Sequence, residues 1–127
     1  MKTNLKTFKK NLVLENTKII TAIKILNQIK YKTLIIIDKK KKVIGSVTDG
    51  DIRRGLLKGF DLNQNIKFVA EKNSIKKTLE NKVTKKIDPK YIDIIPVVNK
   101  FGVIKDLEII DDRKKSNFEG SDNLEVI

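Results

Sequence analysis

A chain of 127 residues with 39% apolar residues and no Trp is of one-domain length, and its core must come from Ile, Leu and Val. It has no Cys and no His, which excludes disulfides, thiol nucleophiles, Cys/His zinc sites and histidine acid–base catalysis. Its net charge of +12 suits an anionic partner, whether nucleotide phosphates, nucleic acid or an acidic membrane surface; it also suits plain compositional bias, because Lys, Ile and Asn are abundant throughout.

Residues 1–11 are polar and basic and read as an N-terminal arm, with no apolar core of signal-peptide length. Asn16 or Thr17 is expected to cap a helix running to about Lys30, with Ile19, Ile20, Ile23, Leu26 and Ile29 on one apolar stripe. "TLIIID" reads as a short buried strand, and its apolar run is far too short to span a bilayer, so a soluble, cytoplasmic protein is expected. "KKKK" is a hairpin turn, a solvated tip or a nucleic-acid patch, leading into the strand "VIGSVT". Asp49 reads as the N-cap of a helix from about Gly50 to Lys58, and Gly59 as the C′ residue that ends it. The first half, residues 12–65, thus reads α-β-β-α.

The second half, residues 66–115, is weaker and looks shortened. "NSIKKTLENKVTKKID" is expected to hold a helix with Ile75, Leu79 and Val83 inward, closed by Pro89. "DIIPVV" is a strand, "NKFG" a turn and "VIKDLEII" a second strand. Residues 116–127 form a polar tail or linker. "LIIIDKKKKVIGSVTDGD" lies over "IPVVNKFGVIKDLEIIDD" without a gap, so that Leu34 falls on Ile95, Val43 on Ile104 and Asp51 on Asp112. Neither half buries its sheet alone, so two halves sharing one core are expected.

The chemistry concentrates in "VIGSVTDGDIRRGLLKG", residues 43–59. The carboxylate of Asp51 can accept hydrogen bonds from both ribose hydroxyls, with the hydroxyl of Thr48 beside it. Arg53 or Arg54 can hold a phosphate bidentately, and a helix opening near Gly50 points free N–H groups at an anion. The plainer reading is a capped helix with a solvated face, in which Asp51 complements the helix dipole. Neither GxxxxGK[ST] nor GxGxxG is present. "DGDIRRG" fails as a calcium loop because Arg53 and Phe60 fall where oxygen ligands are needed, so no metal is expected.

The α-β-β-α halves, their spacing and "GSVTDGDIRRGLLKG" resemble a tandem cystathionine-β-synthase (CBS) domain pair over about residues 10–115. That segment and "VVNKFGVIKDLEIIDD" look more narrowly like the module at the front of certain bacterial sugar-1-phosphate nucleotidyltransferases. The resemblance implies an α+β fold of two pseudo-symmetric β-α-β-β-α repeats packed sheet to sheet, with two clefts between them. It implies an adenine nucleotide ligand (AMP, ADP or ATP) or a nucleotide sugar, a homodimer, and regulation of a nucleotidyltransferase in cis or in trans rather than catalysis. By resemblance Thr48 and Asp51 bond the ribose, Arg53 and Arg54 follow for phosphate, and Lys32 and Thr33 lie where the base is met. In the second half Asp112 and Lys114 remain, but Ile109 stands where Thr48 would be and Asp106 where Gly45 would be, so at most one competent cleft is expected. Two other readings stay open. One is a basic nucleic-acid-binding protein, which the scarcity of aromatic residues, at 6%, weighs against. The other is a dimerisation scaffold whose cleft has decayed.

Overall fold

The computed structural model describes residues 4–74, 76–80 and 94–110. Leu34–Ile37 (β2) is buried along its whole length and pairs antiparallel with Val43–Val47 (β3). Leu12–Leu14 (β1) adds a parallel strand on the other edge of β2. The second sheet repeats this order: Lys77–Thr78 (β4) runs parallel to Ile94–Val98 (β5), which pairs antiparallel with Ile104–Ile109 (β6).

The two hairpins share one register. Leu34↔Val47 and Ile36↔Gly45 correspond to Ile95↔Glu108 and Val97↔Asp106, all at the offset that carries Leu34 onto Ile95. The irregularity at Ile36/Ile37 recurs at Val97/Val98, its equivalent. The continuous apolar run of β2 follows from its position between two layers. Leu34 and Ile36 face Ile19, Ala22 and Leu26 of the helix Ile19–Leu26 (α2), with Ile52 and Ile66. Ile35 and Ile37 face the other sheet, against Ile94, Val98, Ile104 and Leu107. The α+β architecture of two sheets sharing a core is therefore as expected.

Several local expectations are corrected. The helix α2 starts at Ile19 and ends at Leu26, and its N-cap is Lys18, with no side-chain cap. Its free N–H groups are satisfied from a distance: Ile19 donates to Gln64 O and Ile20 to Leu62 O, both at 2.9 Å. Residues 77–80 form β4 and a turn rather than helix, and Leu79 is exposed; Ile75, Val83 and Pro89 lie outside the described residues.

The N-terminal segment is folded onto the body. Asn4–Thr7 (α1) docks on β6, where the Asn4 N–H donates to Asp106 Oδ1 at 2.9 Å and Asn4 Nδ2 to Leu107 O at 2.7 Å. Asn11, 2% exposed, donates from Nδ2 to Tyr31 O and Thr33 O, both at 2.8 Å. A buried amide facing two carbonyls holds the chain as it turns into β2.

Candidate functional site

The helix Asp49–Leu57 (α3) carries the chemistry noted in the sequence, and its cap is Thr48 rather than Asp49. Thr48 and Asp51 form a capping box. The Thr48 N–H donates to Asp51 Oδ2 at 2.9 Å, the Thr48 hydroxyl donates to the same oxygen at 3.2 Å, and the Asp51 N–H donates back to Thr48 Oγ1 at 3.4 Å. The other carboxylate oxygen, Oδ1, accepts from Arg54 Nη2 at 2.8 Å. The guanidinium lies back over the start of the helix: a Cβ added at Gly50 would stand 3.2 Å from Arg54 Nη1. Gly59, at φ +107°, takes the left-handed conformation that ends the helix, as expected.

A cavity of about 220 Å³ opens beside this end of α3. Asp51, Arg54, Gly55 and Lys58 line one wall, and Phe60, Phe68, Val69, Ala70 and Glu71 the other. Residues 68–71 of that wall come from the start of the second half, brought in by main-chain pairing: the Glu71 N–H donates to Ser46 O at 2.8 Å and the Ser46 N–H to Glu71 O at 3.1 Å. Two glycines permit this approach. A Cβ at Gly45 would stand 2.8 Å from Glu71 O, and one at Gly55 would collide with the Val69 side chain. Phe60 and Phe68 stack with centroids 6.2 Å apart and planes 9° from parallel, and Lys67 Nζ lies over the Phe68 ring. The cavity is below the ~300 Å³ common for whole small-molecule ligands, so it suits a ribose and phosphate portion with the remainder projecting outward.

Asp51 and Arg54 thus meet at one cavity, and Thr48 supports Asp51 from behind. Arg53 is exposed on α3 and does not line the cavity, nor do Lys32 and Thr33. Lys32 Nζ donates to Leu26 O at 2.8 Å, serving the C-terminal end of α2, and Thr33 is buried. Asp112 and Lys114 lie outside the described residues. Sequence reading missed Lys58, Phe60, Phe68 and Glu71. The one available signal was spacing, since Lys58 stands one helical turn after Arg54. At the second cleft's counterpart of Gly45, the Asp106 carboxylate accepts from the Asn4 and Leu107 N–H groups. Among the described residues, no helix is long and apolar enough to cross a membrane, and no three His, Cys, Asp or Glu side chains gather as a metal site.

The chain matches the CBS domain family model over residues 1–58. No curated protein matches it. Among solved structures it is similar to a CBS domain protein from Streptococcus pneumoniae TIGR4, at 13% identity and TM-score 0.65, covering 91% of this chain and 82% of that one. It is similar to Staphylococcus aureus OpuCA, at 12% identity and TM-score 0.61, covering 85% and 91%. It also resembles the CBS domain pair of protein MJ0100 in complex with methylthioadenosine and S-adenosyl-L-methionine, at 23% identity and TM-score 0.62, covering 86% and 90%. With a matching first half and two sheets in the same internal register, the chain has the fold of a CBS domain pair.

Proposed function

We propose that this chain is a regulatory module that binds an adenine nucleotide or a nucleotide sugar at the start of α3. It acts as a cytoplasmic homodimer on a sugar-1-phosphate nucleotidyltransferase, in cis or in trans, and is not itself a catalyst. The observation that carries this reading is the shared cavity of Asp51 and Arg54, one group suited to ribose hydroxyls and the other to phosphate. The adenosine compounds bound to the MJ0100 domain pair support an adenine-bearing ligand. The cavity lies between α3 and residues 68–71, at the join of repeat 1 (12–65) and repeat 2 (66–115). A ligand there would favour one arrangement of the two repeats, which is the physical requirement for a regulatory signal. Leu57, 81% exposed on α3 near Arg53, is an apolar group available to a second copy.

The test is calorimetric titration with AMP, ADP, ATP and nucleotide sugars, on the wild type and on Asp51→Ala, with circular dichroism to check that the variant is folded. Saturable binding that Asp51→Ala abolishes is expected. Wild-type protein that is folded and dimeric but binds none of them favours the second reading, a dimerisation scaffold. Its supporting observation is the second half, where Ile109 and Asp106 replace Thr48 and Gly45 and the Asp106 carboxylate is already engaged by Asn4.

A further inference from the structure

Arg54 and Lys58 line the same wall of the cavity, four positions apart on one face of α3 and its C-terminal cap. At a rise of about 1.5 Å per residue their Cα atoms are separated by about 6 Å along the helix axis. Asp51 lies about 4.5 Å before Arg54 on the same scale. The order along the wall is therefore a carboxylate, a guanidinium and an ammonium, and the cavity follows the helix from the first to the last. The two cations differ in engagement. Arg54 is held by Asp51, whereas Lys58 forms no ion pair among the described residues and its side chain is exposed. A single phosphate beside the ribose needs only Arg54. It leaves the charge of Lys58 at the far end of the cavity unanswered.

We propose that Lys58 determines how many phosphates the ligand carries, selecting a nucleoside diphosphate unit over a monophosphate. The inference rests on the ribose being held at Asp51. The first phosphate takes Arg54 from its pair with Asp51, an exposed i,i+3 contact that costs little to break. The second phosphate lies one turn further on, against the ammonium of Lys58. The diphosphate of a nucleotide sugar presents the same two groups, so this selection applies to both ligand classes considered above. Glu71 on the facing wall accepts from the Asn73 N–H at 3.0 Å, and its negative charge disfavours a phosphate chain that strays from the α3 wall.

The probes are adenosine, AMP and ADP, titrated calorimetrically into the wild type, Lys58→Gln and Arg54→Gln. Both side chains are exposed, and thermal melts would show whether each variant keeps its fold. ADP is expected to bind the wild type about tenfold more tightly than AMP, the scale of one charge-assisted contact discounted for exposure. In Lys58→Gln the ADP-to-AMP ratio falls to about one, and in Arg54→Gln the AMP-to-adenosine ratio falls instead. Equal wild-type affinities for AMP and ADP, or an ADP-to-AMP ratio unchanged in Lys58→Gln, overturn the assignment of Lys58 while leaving the nucleotide reading standing. Failure of the wild type to bind these three probes, ATP and the nucleotide sugars alike overturns both.

Discussion

Lys42 and Val103 face each other in an isolated antiparallel bridge that joins the tips of the two hairpins. The offset from Lys42 to Val103 is the one that carries Leu34 onto Ile95, so each residue of the bridge is the other's internal equivalent. The hydrogen bonds around them obey the same exchange. The Val43 N–H donates to Gly102 O and the Ile104 N–H donates to Lys41 O, both at 2.9 Å. Lys41 at φ 67° and Gly102 at φ 82° are both left-handed. The main chain of the lysine turn is therefore a structural contact between repeats, while the side chains of Lys39, Lys40, Lys41 and Lys42 stay exposed, as in a solvated tip.

This pairing predicts unequal effects at two equivalent positions. Gly102→Ala places a Cβ at positive φ and should cost about 1 kcal/mol. Lys41→Gly relieves the same strain but adds freedom to the unfolded chain, so it should stay within about 0.5 kcal/mol of wild type. Urea unfolding of both variants checks this, and equal losses would show that the backbone conformation is not what the two turns share.

The hairpins and their offset were legible because both are ungapped apolar strands around short turns, where pattern alone sets the register. The first strand of each half was not, because β1 has three residues and β4 two, too few to show a period. The start of α2 was misplaced because its cap comes from Gln64 and Leu62, beyond β3 and α3 in the chain, rather than from Asn16 or Thr17. At α3 the right residue types were seen with their roles exchanged: Thr48 is the cap and Asp49 is the first helical residue. Asp51 and Arg54 were readable as a local pattern. Phe68 was not, because it reaches α3 through a pairing distant in sequence, Ser46 with Glu71, whereas Phe60 follows directly after α3 with its N–H bonded to Gly55 O. The fold of residues 4–11 depends on Asp106, at the other end of the described chain, which no local pattern reveals.

Asn11 should be among the most sensitive polar positions. Asn11→Leu leaves the carbonyls of Tyr31 and Thr33 without their donor in a site 2% exposed. At about 1 kcal/mol for each unsatisfied buried group, the loss should be about 2 kcal/mol. Asn11→Asp should do no better, because a carboxylate offers these carbonyls no donor when ionised. Chemical denaturation measures both, and a loss below about 0.5 kcal/mol for Asn11→Leu would mean that water replaces the amide there.

The capping box separates stability from binding. Thr48→Ala removes the acceptor for the Asp51 N–H and should cost about 1 kcal/mol, while Thr48→Ser should retain most of that. Thr48→Ala also takes the hydroxyl donor from Asp51 Oδ2 and loosens the turn that presents the Thr48 N–H, so the carboxylate is less well oriented. Nucleotide affinity should therefore fall in Thr48→Ala and recover in Thr48→Ser, read by calorimetry at a temperature where both variants are folded. Equal affinity in the two would show that Thr48 serves the helix alone.

Gly55 and Val69 meet where the two halves come together at the site. A Cβ at position 55 collides with the Val69 side chain, and Gly55 is buried, so the clash cannot be relieved toward solvent. Gly55→Ala should cost about 1–3 kcal/mol by overpacking, although alanine is otherwise favoured inside a helix. Val69 lines the cavity beside Phe68, so the strain also displaces the wall that faces Arg54 and Lys58. Gly55→Ala combined with Val69→Ala removes the colliding methyl groups and should recover at least half of the loss, a coupling that a double-mutant cycle measures directly. Additive losses in that cycle would place the cost within α3 itself. The contact would then constrain neither the join between the halves nor the shape of the cavity.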